Sequence, residues 1–228
     1  MFWTEKEADK TYVVPDDIVD LAFKISCKCL PLEHSNALSK ALIQQLPWLE
    51  DEQLAGIHLI HGAESGNGWI RPEDTANEIL YLSKRTRMTL RLPQKRVEQA
   101  RELTGTNLDI DGYSLTVGEA SVKLLSTSST IFSRYVVSAE DEPEDQFLKH
   151  VYTDLKSMGV DVNKILCGKS HALNTEEGPL FTRSVMLAEL GQEDSVKVQQ
   201  LGLGPHRKLG CGLFIPHKGI APVKQTDE

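Results

Sequence analysis

The chain has 228 residues, of which 40% are hydrophobic and 25% charged, and it carries a formal net charge of −8. This is the composition of an ordinary globular protein, long enough for one large domain or two small ones. The acidic balance excludes a protein that coats nucleic acid by bulk attraction, so a polyanion would have to meet a local basic surface. No apolar run approaches the length of a bilayer span, and Met1-Phe2-Trp3-Thr4-Glu5 does not open a signal peptide. Cys27, Cys29, Cys167 and Cys211 are too scattered for a disulfide framework, so the expected compartment is the reducing cytoplasm, with no membrane partner.

Residues 1–17 are polar and read as an arm. From Leu21 to Cys29, Leu21, Phe23, Ile25, Cys27 and Cys29 alternate with polar residues, which is strand periodicity. Both cysteines then face the core, as small hydrophobes rather than as half of a zinc site. A helix after Pro31 shows an apolar stripe of Ala37, Leu38, Ala41, Leu42 and Leu46, with His34 at its start and Pro47 at its end. Ile57–His61 reads as a strand leading into a turn-rich loop over 62–68. Ile79–Leu92 reads as a long strand or bent hairpin arm in which Arg85, Arg87 and Arg91 share one face, with Lys84 beside them. The stretch from Lys84 to Arg101 holds a single acid, Glu98, which in an acidic chain marks a directed phosphate surface rather than a solvated face. A second helix starts at Pro93 and turns Val97, Ala100 and Leu103 inward. Asp111-Gly112 between Asn107–Ile110 and Tyr113–Val117 is a hairpin signal.

The order so far is β-α-β-β-α-β, the ferredoxin-like arrangement. The remainder repeats it. Thr130–Val137 is a strand, Ala139–Asp145 an acidic connector, and 144–158 a helix whose Phe147, Val151, Leu155 and Met158 lie on one face. Strands follow at Val162–Cys167 and Leu180–Leu190, then a short helix at Glu193–Gln200 and a last strand at Cys211–Ile215. The fold expected is α+β, two tandem ferredoxin-like domains over 18–126 and 127–228.

The stretch Leu201–Lys218, LGLGPHRKLGCGLFIPHK, sets Gly202, Gly204, Gly210 and Gly212 around Pro205-His206-Arg207-Lys208, with His217 just beyond. Such a loop can expose successive N–H groups to an anion, and the interleaved cations favour phosphate. The plainer alternative is a pair of tight turns before a strand. Gly168-Lys169-Ser170 is not a P-loop, because Asn163 stands where the first glycine would be needed. No H-E-x-x-H, zinc-spaced cysteine pair or calcium loop occurs, so neither metal nor cofactor is expected. RNA can be cut without one, because its 2′-hydroxyl is an internal nucleophile that needs only a base, cations for the phosphate oxygens and a proton donor. Histidine suits the base. His34, His58, His61, His206 and His217 are candidates, and His34 stands out beside a helix N-terminus, whose field favours the neutral ring.

Taken together, the segments LPLEHSNALSKAL (Leu30–Leu42), ESGNGWIRPED (Glu64–Asp74), LYLSKRTRMTLRLP (Leu80–Pro93), ILCGKSHALNTEEGPLFTRSVM (Ile165–Met186) and GLGPHRKLGCGLFIPHK (Gly202–Lys218) resemble the CRISPR-repeat-processing endoribonucleases of the RAMP superfamily, in particular the MYXAN-type subgroup. The resemblance spans about Ile18 to Ala221. It implies a metal-independent cut within each repeat of a precursor CRISPR transcript, leaving a 2′,3′-cyclic phosphate and a 5′-hydroxyl. It is also compatible with the protein staying on the crRNA hairpin beside other effector-complex subunits. By position His34 corresponds to the family's general base, with His58 as fallback. The glycine loop with Arg207 and Lys208 would grip the backbone, and Arg85, Arg87 and Arg91 would hold the hairpin stem. The alternatives are an RNA-holding scaffold of the same superfamily that does not cut, and an unrelated binder of small anions.

Overall fold

The computed structural model describes residues 12–62 and 78–217. The sequence periodicities place most elements correctly, but the lengths differ. The first strand, β1 (Ile18–Ser26), stops before the cysteines, and β2 (Cys29–Pro31) turns away to pair with β4 (Ile79–Tyr81) in a separate ribbon. Helix α1 (Ser35–Gln45) ends at Leu46, and a single turn, α2 (Trp48–Asp51), leads to β3 (Gly56–His58). The expected long arm over 79–92 is therefore two strands, β4 and β5 (Arg87–Pro93), in different sheets. A short helix, α3 (Val97–Arg101), precedes the hairpin β6 (Asn107–Ile110) and β7 (Tyr113–Lys123). Its turn has φ of 51° at Asp111 and 82° at Gly112. Positive φ at both central residues is the turn whose twist matches a hairpin, and it is why Asp-Gly was informative.

The second half contains β8 (Ile131–Val137), α4 (Glu144–Ser157), β9 (Lys164–Thr175), β10 (Gly178–Ala188), α5 (Gln192–Leu201) and β11 (Ile215–Pro216). Strand β9 runs well past the expected end at Cys167, so Gly168-Lys169-Ser170 lies in an edge strand. The final strand is shorter than expected, because Cys211–Phe214 belong to the glycine loop.

The sheets are ordered β3-β5-β1-β7-β6 and β11-β8-β10-β9, with antiparallel pairing throughout. Leaving aside the hairpin strand β6, both follow the ferredoxin-like order, so the tandem expectation holds. Each sheet buries one face under its helices. In the first, Val19, Leu21, Phe23, Met88, Leu90 and Leu92 pack on Leu38, Leu42, Val97 and Ala100. In the second, Ile131, Val136, Val185 and Leu187 pack on Phe147, Val151, Leu155 and Val198. Removing any one of these apolar side chains would cost roughly 2–5 kcal/mol. Period two then places Asp20, Arg87, Thr89 and Arg91 on the opposite, helix-free face of the first sheet. Against that face the second half docks. Ile18 and Leu125 meet Val196, Gly56 lies under Leu213, and Gly210 lies against Leu59. Among the described residues no helix is long and apolar enough to cross a membrane.

Candidate functional site

The cross-strand register sets the polar residues of the helix-free face in rows. Gly56, Arg91, Asp20 and Lys123 form one row, and His58, Thr89, Ala22 and Ser121 the next. Where β8 faces these rows a cleft of about 230 Å³ remains, lined among others by His58, His61, Arg87, Lys123, Arg134 and Tyr135. Phe132 is at the same wall, with the Arg134 guanidinium 5.9 Å from its ring. Two imidazoles and three cations thus share one opening.

The imidazoles are held neutral. The His58 side chain is 15% exposed, and its Nε2 faces Asp20 Oδ1 at 3.5 Å. Burial lowers the pKa of His58; Asp20 opposes that effect, and Arg91 and Arg207 reinforce it. His61 is pulled down to about 3 by burial and by the Arg134 guanidinium. Burial alone would raise the Asp20 carboxyl, but Arg91 and His58 hold it well below the usual carboxylate range. The result is an ionised acid next to uncharged bases, the state a proton acceptor needs at neutral pH.

Four of the expected site residues sit differently from expectation. Arg91 shares the face of Arg87, as the period predicted, but it is wholly buried because the second half covers that end of the strand. Its Nε and Nη2 donate to the two Asp20 carboxylate oxygens at 2.8 and 2.9 Å, and Nη1 donates to the carbonyls of Gln199 and Phe214, both at 2.9 Å. Four of its five donors are thereby used inside the protein, and no phosphate can reach them. Arg207 is also buried, and it donates to the carbonyls of Gln200 and Leu201 at the end of α5 and to that of Leu54. It serves as a C-terminal helix cap that reaches across to the first half. Lys208 donates to the Glu52 carbonyl at 2.6 Å, just past α2.

The fourth is His34. It does precede α1, but it is only 2% exposed. Its Nδ1 meets the carbonyls of Pro31 and Leu32 at 2.9 and 3.1 Å, and its Nε2 accepts the Ile60 N–H at 3.1 Å. Both ring nitrogens are engaged by main chain, and the lowered pKa comes from burial rather than from the helix end. The ring ties the start of α1 to the segment just after β3, two residues beyond His58.

The glycine loop is packed into the protein rather than cupped around an anion. At Gly202 (φ 70°) a Cβ would stand 2.1 Å from Arg207 Nη1, and at Gly212 (φ 67°) 2.1 Å from the Leu203 carbonyl oxygen. These positions need glycine because the loop folds onto itself. Gly210 lines the cleft floor, whereas Gly204 and His206 are exposed and line a different cavity with Pro205. His217 is exposed at the cleft rim, its ring 5.7 Å from that of Phe132. Lys84 and Arg85 are exposed on the turn into β5, where Arg85 N–H donates to Ser83 Oγ at 3.2 Å. Arg87 is exposed and donates to the carbonyls of Lys84 and Thr86. The loop over 62–68 lies outside the described residues apart from Gly62.

Lys123, Arg134 and Tyr135 were missed by the sequence reading. The Phe132-x-Arg134 alternation in β8 did place a cation off the core side, but only the docking of the halves shows what that side faces. Among the described residues no three His, Cys, Asp or Glu side chains gather as a metal cluster would.

Two ferredoxin-like halves closed on each other by a glycine-rich loop, with a cationic cleft between their sheets, define the tandem class that the sequence resembled. The model of the Cas6 Crispr family matches residues 19–219, and the chain belongs to that family. The CRISPR-associated endonuclease Cas6 of Myxococcus xanthus (strain DK1622) is 29% identical to it over 206 residues, 90% of this chain and 84% of that protein. Among solved structures, a CRISPR associated protein Cas6 superposes with a TM-score of 0.60 at 10% identity, covering 88% of this chain and 100% of its own. The product of a Cas6-related gene from Pyrococcus furiosus gives 0.57 at 13% identity, covering 86% and 97%. At those identities the superpositions speak for the fold.

Proposed function

We propose that this chain is an endoribonuclease that cuts precursor CRISPR transcripts within their repeats, using the 2′-hydroxyl as nucleophile and no metal. Family membership and the Myxococcus xanthus relative support the class of activity. The observation that carries the mechanism is the cleft, where neutral His58 and His61 stand among Arg87, Lys123 and Arg134.

In this reading His58 is the general base. It takes the 2′-hydroxyl proton, the 2′-oxygen bonds to phosphorus, and the phosphorus–O5′ bond breaks. The departing 5′-oxygen takes a proton from solvent at the open side of the cleft. The products are a 2′,3′-cyclic phosphate and a 5′-hydroxyl. Arg87, Arg134 and Lys123 offset the charge that builds on the phosphate oxygens, and the wall against Phe132 and Tyr135 limits water around them. Lys84 and Arg85, exposed beside the cleft strand, extend the cationic track along which a repeat stem would lie.

The test is incubation of the full chain with its cognate repeat RNA in EDTA. A single cut with those end groups is expected, and His58→Ala should slow it by about 10²–10⁴-fold with RNA affinity retained. Tight binding with intact RNA would instead make the protein a scaffold. His34→Ala, by contrast, should lower the denaturation midpoint, because it removes three main-chain hydrogen bonds at a buried site.

A further inference from the structure

The Asp20–His58 contact has a feature that the cleavage scheme does not use. Nε2 is the sealed nitrogen of His58. It has no solvent exposure, and among the described residues it makes no hydrogen bond within ordinary limits. The polar atom it faces is Asp20 Oδ1 at 3.5 Å, a separation that a small closure would turn into a hydrogen bond. Asp20 has no freedom of its own. Both its oxygens are fixed by Arg91, whose remaining bonds go to Gln199 and Phe214 in the second half.

We propose that Asp20 is a positioning residue that keeps the proton of neutral His58 on Nε2 and so leaves the Nδ1 lone pair as the base, and that Arg91 makes this arrangement depend on the docking of the two halves. An acceptor-only carboxylate can face only a donor. An ionised Asp20 therefore selects the Nε2–H tautomer and steadies the ring when Nδ1 receives the 2′-hydroxyl proton. The other charged or titratable groups around His58 are Arg91 from β5, Arg207 from the glycine loop and, lining the same cleft, Arg87, Lys123, Arg134 and neutral His61. The cations offer no acceptor, and a neutral imidazole offers one nitrogen without the charge of a carboxylate. Because the Arg91 guanidinium that holds Asp20 is itself anchored on two carbonyls of the second half, separating the halves loosens the carboxylate and with it the ring.

The inference rests on the reading of His58 as the base, and its test separates the two. Isotope-labelled histidine NMR of the wild-type protein, with His58 assigned by its loss in His58→Gln, reports which nitrogen carries the proton. The Nε2–H form is expected; an Nδ1–H form overturns the proposal whether or not the protein cuts RNA. Single-turnover cleavage by Asp20→Asn should fall by about a hundredfold with RNA affinity unchanged. The acidic limb of its pH–rate profile should move to lower pH, since the carboxylate that favours imidazolium is gone. In a His58→Ala background Asp20→Asn should add no further loss, because the two act as one unit. Additive losses would place Asp20 outside the proton-transfer machinery and sink the proposal, even with wild-type cutting intact. Wild-type protein that binds repeat RNA without cutting it would remove the cleavage reading, leaving the tautomer result to stand or fall by itself.

Discussion

The two halves lay their strands in the same order yet use their helix-free faces differently. The first sheet presents Asp20, His58, Arg87, Thr89 and Arg91, with Lys123 at the end of its last paired row. The second presents mostly aromatic and apolar groups, with Tyr135, Leu173 and Cys211 clustered beside Val137 and Leu180, and contributes Arg134. One sheet therefore carries the titratable chemistry, and the other mainly covers it. Covering a charged face lowers the local dielectric, so the same cations act more strongly on a developing negative charge than they would on an open sheet. Where the cover is complete, as over Arg91, a cation becomes structural. Where it is open, as over Arg87, it remains available to a ligand.

The sharpest way to break this comparison is at those two arginines. Arg91→Ala leaves the Asp20 carboxylate buried without its partner and two bonds to the second half unmade, and should cost about 3–5 kcal/mol in denaturant unfolding. Arg87→Ala, four residues along the same strand, should stay within about 0.5 kcal/mol of wild type. Equal effects would mean that the second half does not seal one end of the strand. A smaller effect is expected in the glycine loop. Gly212→Ala drives a Cβ to 2.1 Å from the Leu203 carbonyl at φ 67° and should destabilise by about 2–3 kcal/mol. Gly204→Ala has the same backbone handicap at φ 73° but no neighbour within 4 Å, so thermal unfolding should register about 1 kcal/mol.

These contrasts also mark what the sequence could reveal. Period two placed Arg87 and Arg91 on one face, and Asp-Gly placed the β6–β7 turn, because both are local consequences of backbone geometry. The repeat of β-α-β-β-α-β carried the tandem fold for the same reason. Local pattern cannot say which end of a strand another half will cover, so Arg91 and Arg207 read as phosphate ligands when their partners are main-chain carbonyls 108 and 153 residues away. Nor could it show that His34 spends both ring nitrogens on carbonyls and the Ile60 N–H, or that Arg134 and Tyr135 complete the cleft. Charge reversal at Arg87, Arg207 and Lys208 together would thus mix a surface effect with the loss of a helix cap.

Acid should distinguish the covered chemistry from ordinary surface carboxylates. His61 titrates near 6.5 when unfolded but is held down to about 3 in the folded protein, and His34 and His58 shift in the same direction. Between those values the unfolded chain binds more protons than the folded one. The stabilisation is therefore fully present above about pH 6.5 and is lost as pH falls toward the folded value. Denaturant midpoints should begin to drop in the histidine range, before the carboxylates titrate. His61→Gln should flatten part of that slope, whereas an unchanged slope would mean that its ring is open to water.

The smallest expected effect tests the open side of the comparison most directly. If Arg87 is a phosphate contact and Arg91 is not, Arg87→Gln should weaken repeat RNA binding only a few-fold and by the same factor for unrelated hairpins, because a phosphate contact carries no sequence information. It should also lower the salt dependence of log K by about one unit, the signature of one fewer released counterion. Melting temperature should not move. Arg207→Gln should show the reverse pattern, a lower melting temperature with an unchanged salt slope, since its guanidinium caps α5 and makes no contact that salt could screen. A salt slope that fell equally in both variants would return the glycine loop to the RNA and leave the second half as something more than a cover.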